Sequence, residues 1–283
     1  RIFGVIVAES RHLQSETGAL SVSRKTDSKD TAISLGKGRL IGGDCRPAVI
    51  AGPCSVESLE QMMNSAACLS KHGVFILRGG AFKPRTSPYS FQGLGIEGLK
   101  ILRKAADEYG MLCVSEATSE GNIEVVADYC DIVQIGARNM YNYALLEKAG
   151  RIGRPVLLKR HFSATIKEFM LSAEYLLKSG NSNVILCERG IRTFENSTRS
   201  TLDISAIPLL RRETSLPIIA DISHSAGRKD ISAPLAAAAL AAGAAAIMVE
   251  VHPCPQAAFS DGGQQLDLND FGELVKSLAA FNA

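Results

Sequence analysis

Short apolar runs recur along the chain from residue 47 to 252, and each carries a charged or metal-binding residue at or near its end. In order they are 47–54 (PAVIAGPC), 74–80 (VFILRGG), 112–116 (LCVSE), 132–138 (IVQIGAR), 155–160 (PVLLKR), 184–190 (VILCERG), 217–224 (PIIADISH) and 245–252 (AAIMVEVH). Apolar side chains continue through each run without alternation, which predicts strands buried on both faces. The stretches between them have room for helices, and glycine punctuates most of their ends. Ser55 or Ser58 can cap a helix through Lys71, which Gly73 stops. Further helices are predicted over 99–109 before Gly110, 141–148 before Gly150, 164–178 before Gly180, 204–212 after a cap at Asp203, 232–242 before Gly243, and 268–280.

Eight buried strands alternating with helices predict an α/β fold of the (β/α)8 TIM-barrel type, with the sheet closed on itself. In such a barrel the functional groups project from the C-terminal strand ends. Those ends carry Cys54, Arg78, Glu116, Arg138, Lys159, Arg189, His224 and Glu250. A barrel needs about 250 residues, so we expect a catalytic barrel over 47–283 and an N-terminal extension over 1–46. Within that extension 32–35 and 39–41 flank Gly36-Lys37-Gly38, which predicts a β-hairpin able to plug the barrel floor. Residues 1–21 are too few for a separate regulatory domain.

A hydrophobic content of 46% is ample for such a core. The formal charge of +2 is too small to point to nucleic acid. The 233–246 stretch is apolar but too short for a bilayer and is broken by Gly243, so no membrane association is expected. Seven cysteines, an odd number scattered mostly inside apolar runs, favour reduced thiols and a cytoplasmic setting. We also expect a homo-oligomer, a dimer or a tetramer.

The densest chemistry follows the second strand, in 78–88 (RGGAFKPRTSP). Arg presents a fork matched to carboxylate or phosphate, Lys a mobile point charge, and proline stiffens the backbone between them. Arg138, Lys159 and Arg189 end the next strands, so with Arg78 and Lys83 at least five cations face one mouth. That many like charges repel strongly away from water unless an anion is bound. A substrate bearing both phosphate and carboxylate fits. A second constellation is Cys54, His224, Glu250 and Asp261. A thiolate, an imidazole and two carboxylates suit a divalent metal such as Mn, Fe, Co or Zn. His252 would share a strand face with Glu250 and could serve as a general acid or as a supporting partner of the metal ligands, Glu116 could orient a water, and His161 is read as surface or a minor contact. Cys54 and Cys254 could approach each other over the mouth, because the first and eighth strands of a closed barrel are neighbours.

Several segments together resemble one family. They are 51–58 (AGPCSVES), Lys83-Pro84-Arg85-Thr86, Ile135-Gly136-Ala137-Arg138, Ser223-His224 and Glu250-Val251-His252-Pro253 with Ser260-Asp261-Gly262. The chain is similar from about Val22 onward to 3-deoxy-D-arabino-heptulosonate 7-phosphate (DAHP) synthases of type I-beta. The resemblance implies a transferase of the shikimate pathway that condenses phosphoenolpyruvate with erythrose 4-phosphate. It implies that Arg78 and Lys159 hold the phosphoenolpyruvate carboxylate, Arg138 and Arg189 its phosphate, and Arg85 and Thr86 the phosphate of the aldose. Pro84 and Ala137 complete the substrate-binding set. Lys83, Glu116, His224 and Cys54 are implied as catalytic, and Cys54, His224, Glu250 and Asp261 as metal ligands. Two departures from the family pattern are Cys254, where a polar loop residue is expected, and an N-terminal extension shorter than the family's ferredoxin-like regulatory domain. The sister enzyme making 3-deoxy-D-manno-octulosonate 8-phosphate shows Lys-Ala-Asn-Arg-Ser in the loop where this chain has Lys83-Pro84-Arg85-Thr86. A non-catalytic barrel that senses phosphorylated metabolites is the alternative of another class.

Overall fold

The computed structural model of the chain describes residues 20–25, 29–84 and 87–279. A two-stranded antiparallel sheet, β1 (Ala32–Gly36) and β2 (Arg39–Gly42), comes first. The parallel strands follow as β3 (Ala48–Gly52), β4 (Ile76–Arg78), β5 (Leu112–Ala117), β6 (Ile132–Ile135), β7 (Val156–Lys159), β8 (Val184–Glu188), β9 (Ile218–Asp221) and β10 (Ala246–Glu250). They close into a barrel in sequence order, with β10 pairing both β9 and β3. The register sets Glu250 opposite Gly52, which brings the end of the last strand beside Cys54.

The helices wrap the outside: α1 (Leu59–Lys71), α2 (Ile96–Glu108), α3 (Ile123–Tyr129), α4 (Tyr143–Ala149), α5 (Ile166–Lys178), α6 (Ala206–Glu213), α7 (Ile222–Ala226), α8 (Ser232–Ala241) and α9 (Leu268–Ser277). Their starts have local causes. Ser58 accepts the Gln61 N–H at the head of α1, and Thr165 forms a reciprocal capping box with Glu168 at α5. Outward side chains of the strands, such as Leu77, Val133 and Leu158, pack under Leu69, Leu102 and Phe169 in one continuous core. Each such side chain contributes about 1.5–3 kcal/mol on burial.

A second core fills the barrel. Ile50, Ile76, Leu112, Ile132, Leu157, Ile185 and Met248 meet Ile33, Leu35 and Ile41 of the hairpin. Lys37 Nζ at the hairpin tip donates to the Met111 carbonyl just before β5. The hairpin therefore plugs the N-terminal end of the barrel, as its turn sequence predicts, and leaves the opposite end open.

Helix boundaries differ from the sequence reading by a few residues, and two elements were not anticipated. Helix α2 starts at Ile96, three residues early, because Gly95 at φ +59° turns the chain into it. Helix α3 was not foreseen. The seventh apolar run is a strand only as far as Asp221. There the Asp221 side chain caps α7, so His224 sits on a short helix rather than on the strand. The last helix ends at Ser277.

Candidate active site at the barrel mouth

Four donor atoms of Cys54, His224, Glu250 and Asp261 lie within 4.8 Å of one another. Each arrives from a different element. Cys54 lies two residues past β3, His224 is in α7, Glu250 ends β10, and Asp261 stands in the following loop at φ +50°. Cys54 Sγ is 3.3 Å from Asp261 Oδ2, and His224 Nε2 is 3.3 Å from Glu250 Oε1. Glu250 is fully buried, yet Arg78 at 2.5 Å and Gln264 at 2.5 Å both donate to it. Burial works to raise its pKa, and the neighbouring His224, Arg78 and Lys83 outweigh that, so its carboxyl stays well below the usual range. Burial pushes the Cys54 thiol up to about 12, Glu250 adds to the rise, and Lys83 and Arg78 pull against it. Burial likewise lowers the pKa of His224, which favours the neutral imidazole that ligates. The Asp221 carboxylate accepts from His224 Nδ1 at 2.8 Å, leaving Nε2 facing the other donors. One soft thiol, one imidazole and two carboxylates, all converging, fit a divalent transition metal.

A cavity of about 270 Å³ adjoins this quartet and includes His224 and Asp261 in its wall. Of the residues expected to bind substrate, Lys83, Pro84, Ala137, Arg138, Lys159 and Arg189 line it, and so does Glu116. Arg138 donates to the Pro84 carbonyl at 3.3 Å, which ties the fourth strand's end to the loop after the second. Lys83 Nζ sits 3.0 Å from both Cys54 Sγ and the Cys54 carbonyl. Glu116 accepts from Gln134 at 3.1 Å. Arg189 donates to Ser200 and to the His224 carbonyl.

Two expected residues behave differently. Arg78 is turned onto Glu250 rather than into the cavity wall. His252 is 4% exposed and is held by the Cys254 N–H and by Glu57, so it faces the loop after β10 and not the cavity. Arg85 and Thr86 lie outside the described residues. All seven cysteines are free thiols; Cys254 is exposed beside Gln256 while Cys54 is buried among the donors. The His161 ring packs, tilted, against the Phe162 ring with centroids 3.9 Å apart.

Sequence reasoning missed Asp221, Phe162, Arg192, Arg199 and Ser200. Arg192 stacks on the Phe162 ring at 4.4 Å, and both line the cavity. Arg199 reaches Asp261 at 3.5 Å and Gln264 at 3.1 Å. These arginines follow the sixth strand in a polar stretch with no apolar pattern to mark them; only their closeness to Arg189 was a signal. With them the described residues of the cavity wall include six cations, Lys83, Arg138, Lys159, Arg189, Arg192 and Arg199. Glu116 and Asp261 are the acids in that wall, so the positive excess is large.

The fold and mouth thus define a class: a (β/α)8 barrel enzyme with a strongly cationic cavity beside four converging side chains that could hold a metal ion. The DAHP synthetase I family matches residues 28–281, and the chain belongs to that family. It is 58% identical over 257 residues to a phospho-2-dehydro-3-deoxyheptonate aldolase of Thermotoga maritima, covering 91% of this chain and 75% of that one. A crystal structure of DAHP synthase from Thermotoga maritima superposes with a TM-score of 0.90 at 57% identity, over 93% of this chain and 76% of the other. A truncated form of the synthase from the same organism superposes at 0.86 and 53% identity, over 93% and 96%. A 2-dehydro-3-deoxyphosphooctonate aldolase of Rhodopseudomonas palustris is more distant, 31% identical over 83% of this chain and 88% of its own.

Proposed function

We propose that the chain condenses phosphoenolpyruvate with erythrose 4-phosphate and water to give 3-deoxy-D-arabino-heptulosonate 7-phosphate and inorganic phosphate. The observation that carries this reading is the junction at one mouth of the Cys54–His224–Glu250–Asp261 quartet with a cavity walled by six cations. The 58% identity to an aldolase of that name supports the four-carbon aldose over the five-carbon one, as does Lys83-Pro84-Arg85-Thr86 in the loop.

In the proposed reaction C3 of phosphoenolpyruvate attacks the aldehyde carbon and a C–C bond forms. Water adds to the cationic C2, and the C2–O bond to phosphate breaks. Cys54, His224, Glu250 and Asp261 would hold a divalent ion, which would supply Lewis-acid polarisation of the aldehyde carbonyl. Lys159 binds the phosphoenolpyruvate carboxylate, assisted by Arg78 if it exchanges its Glu250 contact. Arg138 and Arg189 bind the phosphate, and Ala137 shapes the wall between them. Lys83 stands where a proton can be given to the new alkoxide. Glu116, held by Gln134, accepts a proton from the water that adds at C2. The surrounding cations stabilise the phosphate as it leaves. Arg85 and Thr86 hold the phosphate of the aldose.

The reading includes reduced thiols in a cytoplasmic setting, supported by the seven free cysteines. Among the described residues no helix is long and apolar enough to cross a membrane. It also includes self-association, supported by Tyr143, Leu171 and Tyr175 exposed together on α4 and α5. The test is stoichiometric. Loss of the enol absorbance and release of phosphate should both require the aldose, at one phosphate per aldose consumed. Phosphate release without aldose, or none with it, contradicts the reading, and the second result would indicate a sensor barrel.

A further inference from the structure

Asp221 has no part in the steps above, yet it touches both halves of the site. Its side chain is fully buried at the end of β9. Oδ1 accepts the His224 backbone N–H at 2.9 Å. Oδ2 accepts from the His224 ring Nδ1 at 2.8 Å and also pairs with Lys159 Nζ. One oxygen is therefore shared between a candidate metal ligand and a candidate substrate-binding cation. The bond to Nδ1 fixes the tautomer and points Nε2 at the donor quartet. Lys159 is 4% exposed and reaches the cavity from the same oxygen.

We propose that Asp221 is a positioning residue that couples anion binding to metal affinity, through the single oxygen it shares between Lys159 and His224. The proposal rests on the reading of the cavity as a phosphoenolpyruvate site beside a divalent-metal site. With the cavity free of anion, Lys159 draws part of the carboxylate's charge away from the imidazole. A substrate carboxylate that accepts from Lys159 pulls the ammonium toward the cavity and leaves Oδ2 to His224. The imidazole then becomes a stronger donor at Nε2, and the metal binds more tightly. Linkage requires the reverse as well, so the metal tightens phosphoenolpyruvate by the same factor.

The experiment measures Mn²⁺ binding to the metal-stripped full chain by the electron-paramagnetic-resonance signal of the free ion. It is run with and without phosphoenolpyruvate, with the aldose withheld and the Mn²⁺ held by free substrate subtracted. In the wild type, phosphoenolpyruvate should tighten Mn²⁺ by about 5-fold or more, in the usual range of coupling between sites. Asp221→Asn preserves volume and the Oδ1 acceptor but sets an amide NH₂ against two donors. It should weaken Mn²⁺ by about 10–100-fold and abolish the substrate enhancement. Lys159→Gln leaves Asp221 paired with His224. Its Mn²⁺ affinity without substrate should equal or exceed the wild type's, again with the enhancement lost. General loosening of the barrel would weaken Mn²⁺ in both variants, and thermal unfolding of each is measured alongside. Retained enhancement in Asp221→Asn, or weakened Mn²⁺ in Lys159→Gln to match it, overturns the proposal. A wild type that binds both ligands without mutual tightening overturns the coupling alone. A wild type that binds no phosphoenolpyruvate overturns the proposed function and the coupling with it.

Discussion

Gly136 shows how little slack the mouth has at the scale of single residues. It lies between β6 and Arg138, and a Cβ there would land on the Glu116 carboxylate. Gly136→Ala should therefore push Glu116 off the line set by Gln134 and cost about 10–100-fold in kcat, the scale of small misplacements of catalytic groups. Steady-state kinetics with unchanged circular dichroism would check this; wild-type turnover would show that Glu116 need not stay where Gln134 holds it. Cys54→Ala should weaken Mn²⁺ by more than about 100-fold, since even loss of an outer partner of a metal ligand costs 10–100-fold, and the fold should survive. Equilibrium dialysis of the folded variant decides it. Arg85→Ala should raise the KM for erythrose 4-phosphate by roughly 10-fold or more, the worth of a charge-assisted fork, and that for phosphoenolpyruvate far less. Equal effects on both substrates would show that Arg85 is not the aldose anchor. At this scale Cys54, His224 and Glu250 were legible as candidate donors because each stands at or near the end of an apolar run, whereas Asp261 lies in a loop beside Gly262-Gly263 with no such mark. Asp221 was not legible either. It sits inside such a run, and nothing in a linear pattern separates a buried acid that orients a histidine from one that ends a strand.

Elements tell the same story through their boundaries. The hairpin was readable because Gly36-Lys37-Gly38 between two short apolar segments has few other uses, and all three residues take positive φ. Its value is in the floor of the barrel, where Ile33 and Ile41 are buried against the strands' first residues. Ile33→Ala should cost about 2–5 kcal/mol in stability, as large-to-small core changes do. Because the floor is at the end away from the mouth, kcat should change little at temperatures well below unfolding. Denaturant titration beside kinetics would test it, and a large fall in kcat with unchanged stability would mean that the floor shapes the mouth. Helix α7 was hidden for a different reason. Ile222 continues the apolar run of β9, so the change from strand to helix is marked only by the cap at Asp221. The strand face expected for His252 fails for the opposite reason. Two residues past Glu250 on a continuing strand it would share that face, but β10 ends at Glu250 and the chain turns His252 toward Glu57.

The whole molecule concentrates charge that its totals conceal. A formal charge of +2 over 283 residues suggests no ligand of either sign, yet closure of the barrel brings cations from 83 to 199 into one cavity wall. That convergence was legible only through the fold: strand ends scattered along the sequence become neighbours once β10 pairs with β3. Arg192 and Arg199, farther past β8, escaped notice because no apolar run ends on them. On the proposed function, this mouth joins two phosphorylated substrates beside a divalent metal, with the four-carbon aldose preferred. That function is tested most directly by one assay: phosphate release from phosphoenolpyruvate by chelator-stripped enzyme and by the same enzyme reloaded with Mn²⁺, each offered erythrose 4-phosphate or arabinose 5-phosphate. No turnover is expected without metal, and turnover with metal should strongly favour erythrose 4-phosphate. Full activity in verified metal-free enzyme, or a preference for arabinose 5-phosphate, would contradict the proposed function.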